Sequence, residues 1–443
     1  MDIKVSVILP SLNMVNFIRE CLDSVRTQTL REIEILCVDA GSTDGTLEIL
    51  QEYAGMDSRI KVFGSEVKSY GRQVNEGIRR ACGKYVAVVE TDDFLAKDMF
   101  LTLYELAERY SLDYVKASFD FFYELQKGGR IWGPANTSLF EAELYGKVIR
   151  PLDYKCVYAE DYNIWRGIYR KSFLTEHEIV LNETSGAAYQ DLGFVQQTLS
   201  YAERAMYVKD SFYRYRCNRD GASTSKKESV KYVYQEFYRL FDGNFFPDTM
   251  NRQIWERLYF KLALCFRTEY EKVLQMEQYN TESEYLSDYY EWFRKKVLYA
   301  IQEGLILFTD FEYSCRLELE LMLKSCKSYA DYRCVKDRIE REPVKRLLNK
   351  IGKHQIVIFG CGNYGKEICI ELDVHGEDVV AFCDNNKSLW GNKCYEIEIL
   401  PPEVCCREYG GAFYLVTCRH ETESVKRQLE SLGISGDHIG IWP

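Results

Sequence analysis

The sequence predicts an α/β chain in three parts: a parallel-rich sheet wound with helices, a helical region, and a second, smaller α/β unit. Three observations carry the prediction. Strand-like and helix-like runs alternate through the first 120 residues. Apolar and aromatic residues keep helical spacing from about 228 to 345. Near residue 355 a buried strand meets a glycine-rich turn and opens another βαβ unit.

Taken in order, Val5–Leu9 is a continuous apolar run ending at Pro10, the pattern of a strand covered on both faces. Phe17, Ile18, Cys21, Leu22 and Val25 come next with helical spacing. Ile33–Val38 is the next strand, closed by the turn Asp39-Ala40-Gly41-Ser42-Thr43-Asp44-Gly45, and a helix is expected from Thr46 to Tyr53. Ile60–Phe63, Arg72–Ala81 and Tyr85–Val89 continue as strand, helix and strand. Such alternation calls for parallel strands joined by right-handed crossovers, with ligands bound beyond the carboxyl ends of the strands. Ser11 with Asn13, Asp39 to Asp44, and Glu90-Thr91-Asp92-Asp93 all come after strands, so the three clusters are expected on one edge.

Beyond 228, Tyr232, Tyr234, Phe237, Tyr238 and Phe241, then Trp255, Leu258, Tyr259, Leu262 and Phe266, read as packed amphipathic helices, an aromatic core with no site assigned. Around Glu342-Pro343 the pattern changes. Gln355–Phe359 and Asp378–Phe382 read as strands, with Gly360-Cys361-Gly362-Asn363-Tyr364-Gly365 between them and Cys383-Asp384-Asn385-Asn386 after. The expected domains are 1–225, 226–345 and 346–443.

The chain has 443 residues, with 57 Lys+Arg against 68 Asp+Glu and a formal charge of −11. That balance disfavours nucleic acid or an anionic lipid surface as the main partner, and a phosphate-bearing ligand would need a local basic patch or a bridging cation. No apolar run approaches the length needed to cross a bilayer, and Met1-Asp2-Ile3-Lys4 leads into a strand without a signal-peptide core. The 16 cysteines form no CxxC pair and read as reduced thiols of a cytoplasmic protein. The histidines are His177, His354, His375, His420 and His438, so chemistry in the first 176 residues must use carboxylates.

Three carboxylates within Glu90–Asp93 repel one another unless solvated, hydrogen-bonded or neutralised by a cation. A solvated loop with a helix N-cap is the bland reading. The Gly-Ser-Thr-Asp-Gly turn on the same expected edge favours a hard cation, Mg²⁺ or Mn²⁺, held by one or two carboxylates together with substrate phosphates.

These segments carry a resemblance. Val5-Ser6-Val7-Ile8-Leu9-Pro10-Ser11-Leu12-Asn13, Cys21–Val25 through Gln28-Thr29, Ile35–Thr46, Gly71-Arg72 through Asn75-Glu76-Gly77-Ile78, Ala81–Tyr85 and Thr91-Asp92-Asp93 occur in the order found in family 2 glycosyltransferases with the GT-A fold. The resemblance covers roughly residues 3–225. It implies a nucleotide-sugar donor with base and ribose near Pro10, Ser11, Asn13 and Asp39. It also implies that Asp92 and Asp93 contact ribose and metal, that Arg72 meets the diphosphate or base edge, and that Arg216 reaches the donor phosphates. Asn163–Leu174 resembles the acceptor side, Gln190-Asp191 sits where the family often has Glu-Asp and its catalytic base, and Tyr213–Arg216 through Ser223 resembles the domain's tail. Ala40, Glu90 and Gln190 depart from the family's usual Asp, Asp and Glu.

In the last segment Asp384 lies 19 residues after Gly365, the Rossmann-like arrangement in which Gly360, Gly362 and Gly365 admit a pyrophosphate and the acid meets a ribose hydroxyl. A second nucleotide is expected there, and a module used for packing or oligomerisation is the bland alternative.

The expected function is therefore inverting, metal-dependent transfer of a sugar from a nucleotide-sugar donor to a hydroxyl acceptor in bacterial polysaccharide or glycoconjugate synthesis, with Asp191 as general base. The resemblance implies a saccharide or lipid-linked acceptor and no nucleic-acid partner. Peripheral attachment at the inner face of the membrane and oligomerisation stay open. An NAD-binding oxidoreductase built on Gly360–Gly365 and a catalytically silent nucleotide-sugar-binding scaffold are the alternatives.

Overall fold

The computed structural model describes residues 2–124, 129–133, 142–217, 226–243, 246, 251–418 and 421–443, so Ser223 and His420 lie outside the described residues. The chain divides into two compact units, Met1–Phe121 with Gly133–Tyr332, and Phe122–Trp132 with Arg333–Pro443.

In the first unit β1 (Val5–Ser11), β2 (Ile33–Asp39), β3 (Ile60–Gly64) and β4 (Tyr85–Val88) are parallel, in the order β3-β2-β1-β4. Every residue of β1 and β2 is buried, as their unbroken apolar runs require when helices cover both faces. The sheet continues through β8 (Gly167–Arg170), β6 (Tyr114–Glu124) and β9 (Ala205–Arg216) to β5 (Phe94–Leu95), with β8 antiparallel to both β4 and β6; β7 (Arg130–Trp132) pairs with Phe122–Glu124 at the end of β6, within the second unit. The fold is thus mixed α/β with a parallel-rich sheet.

Helix α1 (Ile18–Arg26) buries Ile18, Cys21, Leu22 and Val25, its apolar stripe. Helix α2 (Thr46–Met56) comes after β2, and α3 (Tyr70–Arg80) is capped by the Ser69 hydroxyl, which accepts from the Arg72 amide at 3.2 Å. A side chain at Gly77 would begin 2.5 Å from Ile8, so α3 lies directly on β1. Helices α4 (Met99–Tyr110), α5 (Lys155–Glu160), α6 (Lys171–Glu176) and α7 (Gln190–Tyr201) complete the α/β part.

The aromatic stretch forms α8 (Ser229–Phe241), α9 (Arg252–Met276), α10 (Glu284–Gln302) and α11 (Tyr313–Lys324). Its rings are core: Phe266 stacks on Phe293 at 4.1 Å, and Phe241 meets Tyr259 at 4.5 Å. One apolar cluster runs from Val5 to Ala330, so these helices share a core with the sheet. The expected change at Glu342-Pro343 is corrected by α12 (Cys326–Ile351), which continues through Pro343. Proline removes an amide and crowds the carbonyl four residues back, and that stretch lies in water: Ile339 is 70% exposed.

In the second unit β10 (Ile356–Phe359), β11 (Val379–Cys383), β12 (Lys393–Cys394), β13 (Ile397–Leu400), β14 (Phe413–Val416) and β15 (Ile439–Ile441) take the order β12-β13-β11-β10-β14-β15, parallel except for β12 with β13. Ile356 and Ile358 face one apolar cluster, Val357 and Phe359 the other. Helices α13 (Asn363–Val374), α14 (Pro402–Glu408) and α15 (Thr422–Ser431) accompany this doubly wound sheet.

Candidate functional site

The parallel register sets Ser11 beside Asp39, so the loops after β1 and β2 emerge together. They are stitched by side chains. Asn13 adopts a left-handed backbone (φ 56°), its amide donates to Ser42 Oγ at 2.9 Å, and its Oδ1 accepts from Thr43 N at 2.9 Å. Asp39 Oδ1 accepts from the amides of Gly41 and Ser42 at 2.9 and 2.8 Å, and Oδ2 accepts from the Ser42 hydroxyl at 2.5 Å. Asp39 therefore shapes the turn with both carboxylate oxygens. Gln73, from α3, donates one amide group to Ser11 O and Val38 O at 2.9 and 2.6 Å, pinning the two strand ends. Beside them lies an open groove of about 590 Å³, lined by Asp39, Gly41, Leu47, Gln51, Val62 and Ser65 among others.

The loop after β4 reaches the same edge, with Thr91 Oγ1 donating to Pro10 O at 3.1 Å. Asp93 is 2% exposed; its Oδ2 accepts from the Tyr213 hydroxyl at 2.8 Å and its Oδ1 from the Arg216 amide at 2.7 Å. Burial, with the neighbouring Asp92, pushes its carboxyl well above the usual range. Asp92 is less buried, and its carbonyl accepts from Arg216 Nε at 2.8 Å. Glu90 takes the Tyr70 hydroxyl on its carboxylate, while its amide donates to Tyr213 Oη at 3.1 Å. Arg216, expected at donor phosphates, braces this loop: Nη2 meets Glu20 at 2.9 Å and the guanidinium lies 4.7 Å from the Phe17 ring. Arg72 pairs through Nη1 with Glu183 at 2.9 Å, half-exposed.

Asp191 stands in the first turn of α7, after Tyr189 rather than at the N-cap itself. Tyr189 holds a left-handed backbone (φ 64°), strained for a bulky residue. Gln190 secures it from below: buried, it accepts from Ala188 N at 2.7 Å and donates to Thr184 Oγ1 at 3.0 Å and Gly186 O at 3.2 Å. Asp191 Oδ1 accepts from Leu192 N at 2.9 Å. Burial pushes its carboxyl up to about 6, against the pull of the Leu192 amide and of Lys116 and Lys261, yet solvent still reaches it.

Lys116 belongs to a buried trio: Nζ donates to Asp161 Oδ2 at 2.7 Å and Asn163 O at 3.0 Å, while Arg166 Nη2 donates to Asp161 Oδ1 at 2.9 Å. Burial draws Lys116 down to about 8. Tyr70 feels the charge of both Glu90 and Asp191 after the larger effect of burial, so the base candidate and the carboxylate loop share one neighbourhood.

The structure thus brings Pro10, Asp92, Asp93 and Arg216 together, with Ser11, Asn13 and Asp39 on the adjoining edge, links Asp191 to them only through Tyr70, and turns Arg72 toward Glu183. Tyr70, Gln73, Tyr213 and Lys116 had no assigned role in the sequence. Lys116 could have been noticed, a cation inside the apolar run Tyr114–Phe119. Among the described residues no group of three or more His, Cys, Asp or Glu side chains could cage a metal.

In the second unit Gly360 has φ 110°, and a side chain at Gly365 would start 1.9 Å from Gly360 O, so both positions require glycine. Gly362 faces open space. Asp384 Oδ2 accepts from Cys361 N and Oδ1 from Asn386 N, each at 2.8 Å, so the acid shapes the glycine turn.

Residues 6–148 match the family model for glycosyl transferase family 2. The chain is 32% identical over 218 residues to EpsJ of Bacillus subtilis, an uncharacterized glycosyltransferase, covering 48% of this chain and 61% of that protein. It is 28% identical over 236 residues to the glycosyltransferase GlyA of Streptococcus pneumoniae, covering 50% of this chain and 32% of that protein. The chain therefore spans less than two thirds of the length of either relative. Among solved structures it is similar to S. aureus TarS 1–349 in complex with UDP-GlcNAc, with TM-score 0.57 and 19% identity over 76% of this chain and 92% of that one. The fold is accordingly that of GT-A-like glycosyltransferase structures.

Proposed function

We propose that this chain is an inverting, metal-dependent glycosyltransferase that moves a sugar from a nucleotide-sugar donor to a hydroxyl acceptor in the synthesis of a bacterial polysaccharide or glycoconjugate. The observation that carries the reading is Asp191, a solvent-reached carboxyl at the start of α7 that burial raises to about 6, its charge felt at Tyr70, which is hydrogen-bonded to Glu90 of the carboxylate loop. The family match over residues 6–148 and the likeness to a TarS structure holding UDP-GlcNAc support the donor class.

The donor lies on the edge made by the loops after β1, β2 and β4. The base and ribose sit by Pro10, Ser11, Asn13 and Asp39, with the groove beside Asp39 as room for the base. The oxygen-only donor set of Asp92 and Asp93 fits Mg²⁺ or Mn²⁺, which keep waters and substrate phosphates as further ligands and so need no protein cage. Such a cation supplies charge stabilisation for the departing nucleoside diphosphate. Asp92 is the more accessible ligand; Asp93, gripped by Tyr213 and Arg216, sets the loop's shape as well as offering its remaining lone pairs. Asp191 takes the proton of the acceptor hydroxyl as it attacks the anomeric carbon. A second nucleotide at Gly360–Gly365 finds room at Gly362.

Asp191→Asn tests the reading. Transfer should fall by about 10²–10⁴-fold while donor binding, measured by calorimetry with Mn²⁺, stays nearly intact. Unchanged transfer would remove Asp191 from the role.

A further inference from the structure

We infer that Gln190 is a positioning residue for Asp191: its carboxamide closes a strap over residues 181–189 and so ties the base to α3, the helix that also pins the donor edge. The inference rests on the glycosyltransferase reading above. The side chain of Asp191 is bound within its own turn, to Leu192 N at 2.9 Å, so its direction follows the backbone at the head of α7. Whatever fixes that backbone aims the base.

The strap is fastened to α3 at two points. At its start the Asn75 side chain pairs with a backbone unit: Nδ2 donates to Leu181 O and Oδ1 accepts from Leu181 N, each at 2.9 Å. Gly71 lets the two segments meet, since a side chain there would begin 1.9 Å from Asn182 O. Farther along, the Gly186 carbonyl accepts from Tyr70 N at 2.9 Å, and its amide donates to Lys68 O at 2.7 Å, in the turn leading into α3. The same helix holds the donor edge: Gln73 donates to Ser11 O and Val38 O, and the Tyr70 hydroxyl donates to Glu90.

Gln190 joins this frame to the base. It is 1% exposed; Nε2 donates to Thr184 Oγ1 at 3.0 Å and Gly186 O at 3.2 Å, and Oε1 accepts from Ala188 N at 2.7 Å. Those partners call for two donors and an acceptor on one side chain, which a carboxamide supplies and an ionised carboxylate does not. Glutamine, where the family resemblance leads one to expect glutamate, is thus matched to its surroundings, and it adds no charge beside Asp191. The left-handed backbone of Tyr189 persists because the strap on one side and Gln190 on the other leave the turn no alternative.

The test uses the full chain labelled with ¹³C at the aspartate carboxyl carbon, the Asp191 signal being identified by its loss in Asp191→Asn. In the parent it should titrate near 6. Gln190→Ala frees the turn and lets water reach the carboxyl, so the midpoint should fall by about one pH unit or more, toward the ordinary value of about 3.9. Thr184→Val takes one partner from Gln190 and should move the midpoint the same way by a smaller amount. Neither substitution changes a charge, so Lys116 and Lys261 act on Asp191 alike in parent and variants. UDP affinity with Mn²⁺, read by calorimetry, should stay within about threefold, because α3 still pins the donor edge. A purely structural role for Gln190 would lower the melting temperature and leave the midpoint in place. An unmoved midpoint in both variants therefore overturns the inference, as does a UDP affinity that falls with the midpoint, which would make the defect a general one. Should Gln190→Ala fail to fold, Thr184→Val decides in the same terms. A parent midpoint already at the ordinary value overturns the inference as well, since no burial is then left for Gln190 to maintain. Failure of the parent to bind UDP overturns the glycosyltransferase reading, a result distinct from any shift at Asp191.

Discussion

Glu236 rests its carboxyl against Gly193: a side chain on Gly193 would begin 2.1 Å from Glu236 Oε2. Gly193 lies two residues after Asp191, so this contact joins α8 to the turn that carries the base. Glu236 is 1% exposed; its Oε1 accepts from Asn182 Nδ2 at 3.0 Å, and its Oε2 has no hydrogen-bond partner among the described residues. Gly193→Ala must displace a buried carboxyl and should destabilise the chain by about 1–3 kcal/mol. Thermal denaturation of the single and double variants with Glu236→Ala should show strong non-additivity, because truncating Glu236 makes the room the methyl needs.

Burial pushes Glu236 up to about 8, with Asp191 adding to it and Asn182 and Arg239 opposing. An unfolded glutamate ionises near 4.3. Between about 4.3 and 8 the folded chain therefore holds a proton that the unfolded chain has lost, and stability falls as pH rises through that window. Glu236→Gln removes the titration. Melting curves from pH 5 to 9 should be flatter in the variant, which should outlast the parent at the alkaline end.

Asp191 must be ionised to accept a proton, so transfer should rise with pH through about 6. Lys116 and Lys261 are the cations that hold this value down. Lys116→Met should move the acid limb of the rate profile to higher pH, because one of the two charges is gone. The same change leaves Asp161 with Arg166 and the Tyr207 hydroxyl but one cation fewer, and should cost stability of order 3–5 kcal/mol, read by denaturant titration.

The Tyr213 hydroxyl donates to Asp93 at 2.8 Å and accepts from the Glu90 amide at 3.1 Å, so one atom organises both ends of the carboxylate loop. Tyr213→Phe keeps the ring and removes the hydroxyl's hydrogen bonds to Asp93 Oδ2 and the Glu90 amide, a cost of about 1–3 kcal/mol each. Calorimetry should show weaker Mn²⁺-dependent donor binding. Unchanged affinity would mean that the loop holds its shape without this hydroxyl.

In the second unit Gly365→Ala collides with Gly360 O, whereas Gly362→Ala meets nothing within 4 Å. Circular dichroism should show the first variant unfolding this unit at lower temperature and the second folding normally. If a nucleotide uses this loop, Gly362→Ala should nonetheless weaken its binding, since the added methyl stands where the phosphate must approach.

The strands and the three polar clusters were legible because a sheet covered on both faces writes itself as unbroken apolar runs, and parallel strands deliver the loops at their carboxyl ends to one edge. The helical aromatic stripe was legible as core by its spacing. Pro343 was misleading, since a proline read in isolation says nothing of whether water can serve the carbonyl it displaces. The bracing bonds of Arg216 and Asp384 were not legible either. An arginine near expected phosphates and an acid after a glycine turn both suit a ligand, and only folding shows that each is also hydrogen-bonded to the loop beside it.

By itself the sequence determined the α/β class, the order of the elements, the expected donor edge and Asp191 as the candidate base, because these depend on local periodicity and on residues close along the chain. The tertiary structure decided what surrounds that base. Lys116 and Lys261 come from separate segments, and their pull on Asp191 depends on distance and on the exclusion of water. Neither quantity exists until the chain has folded.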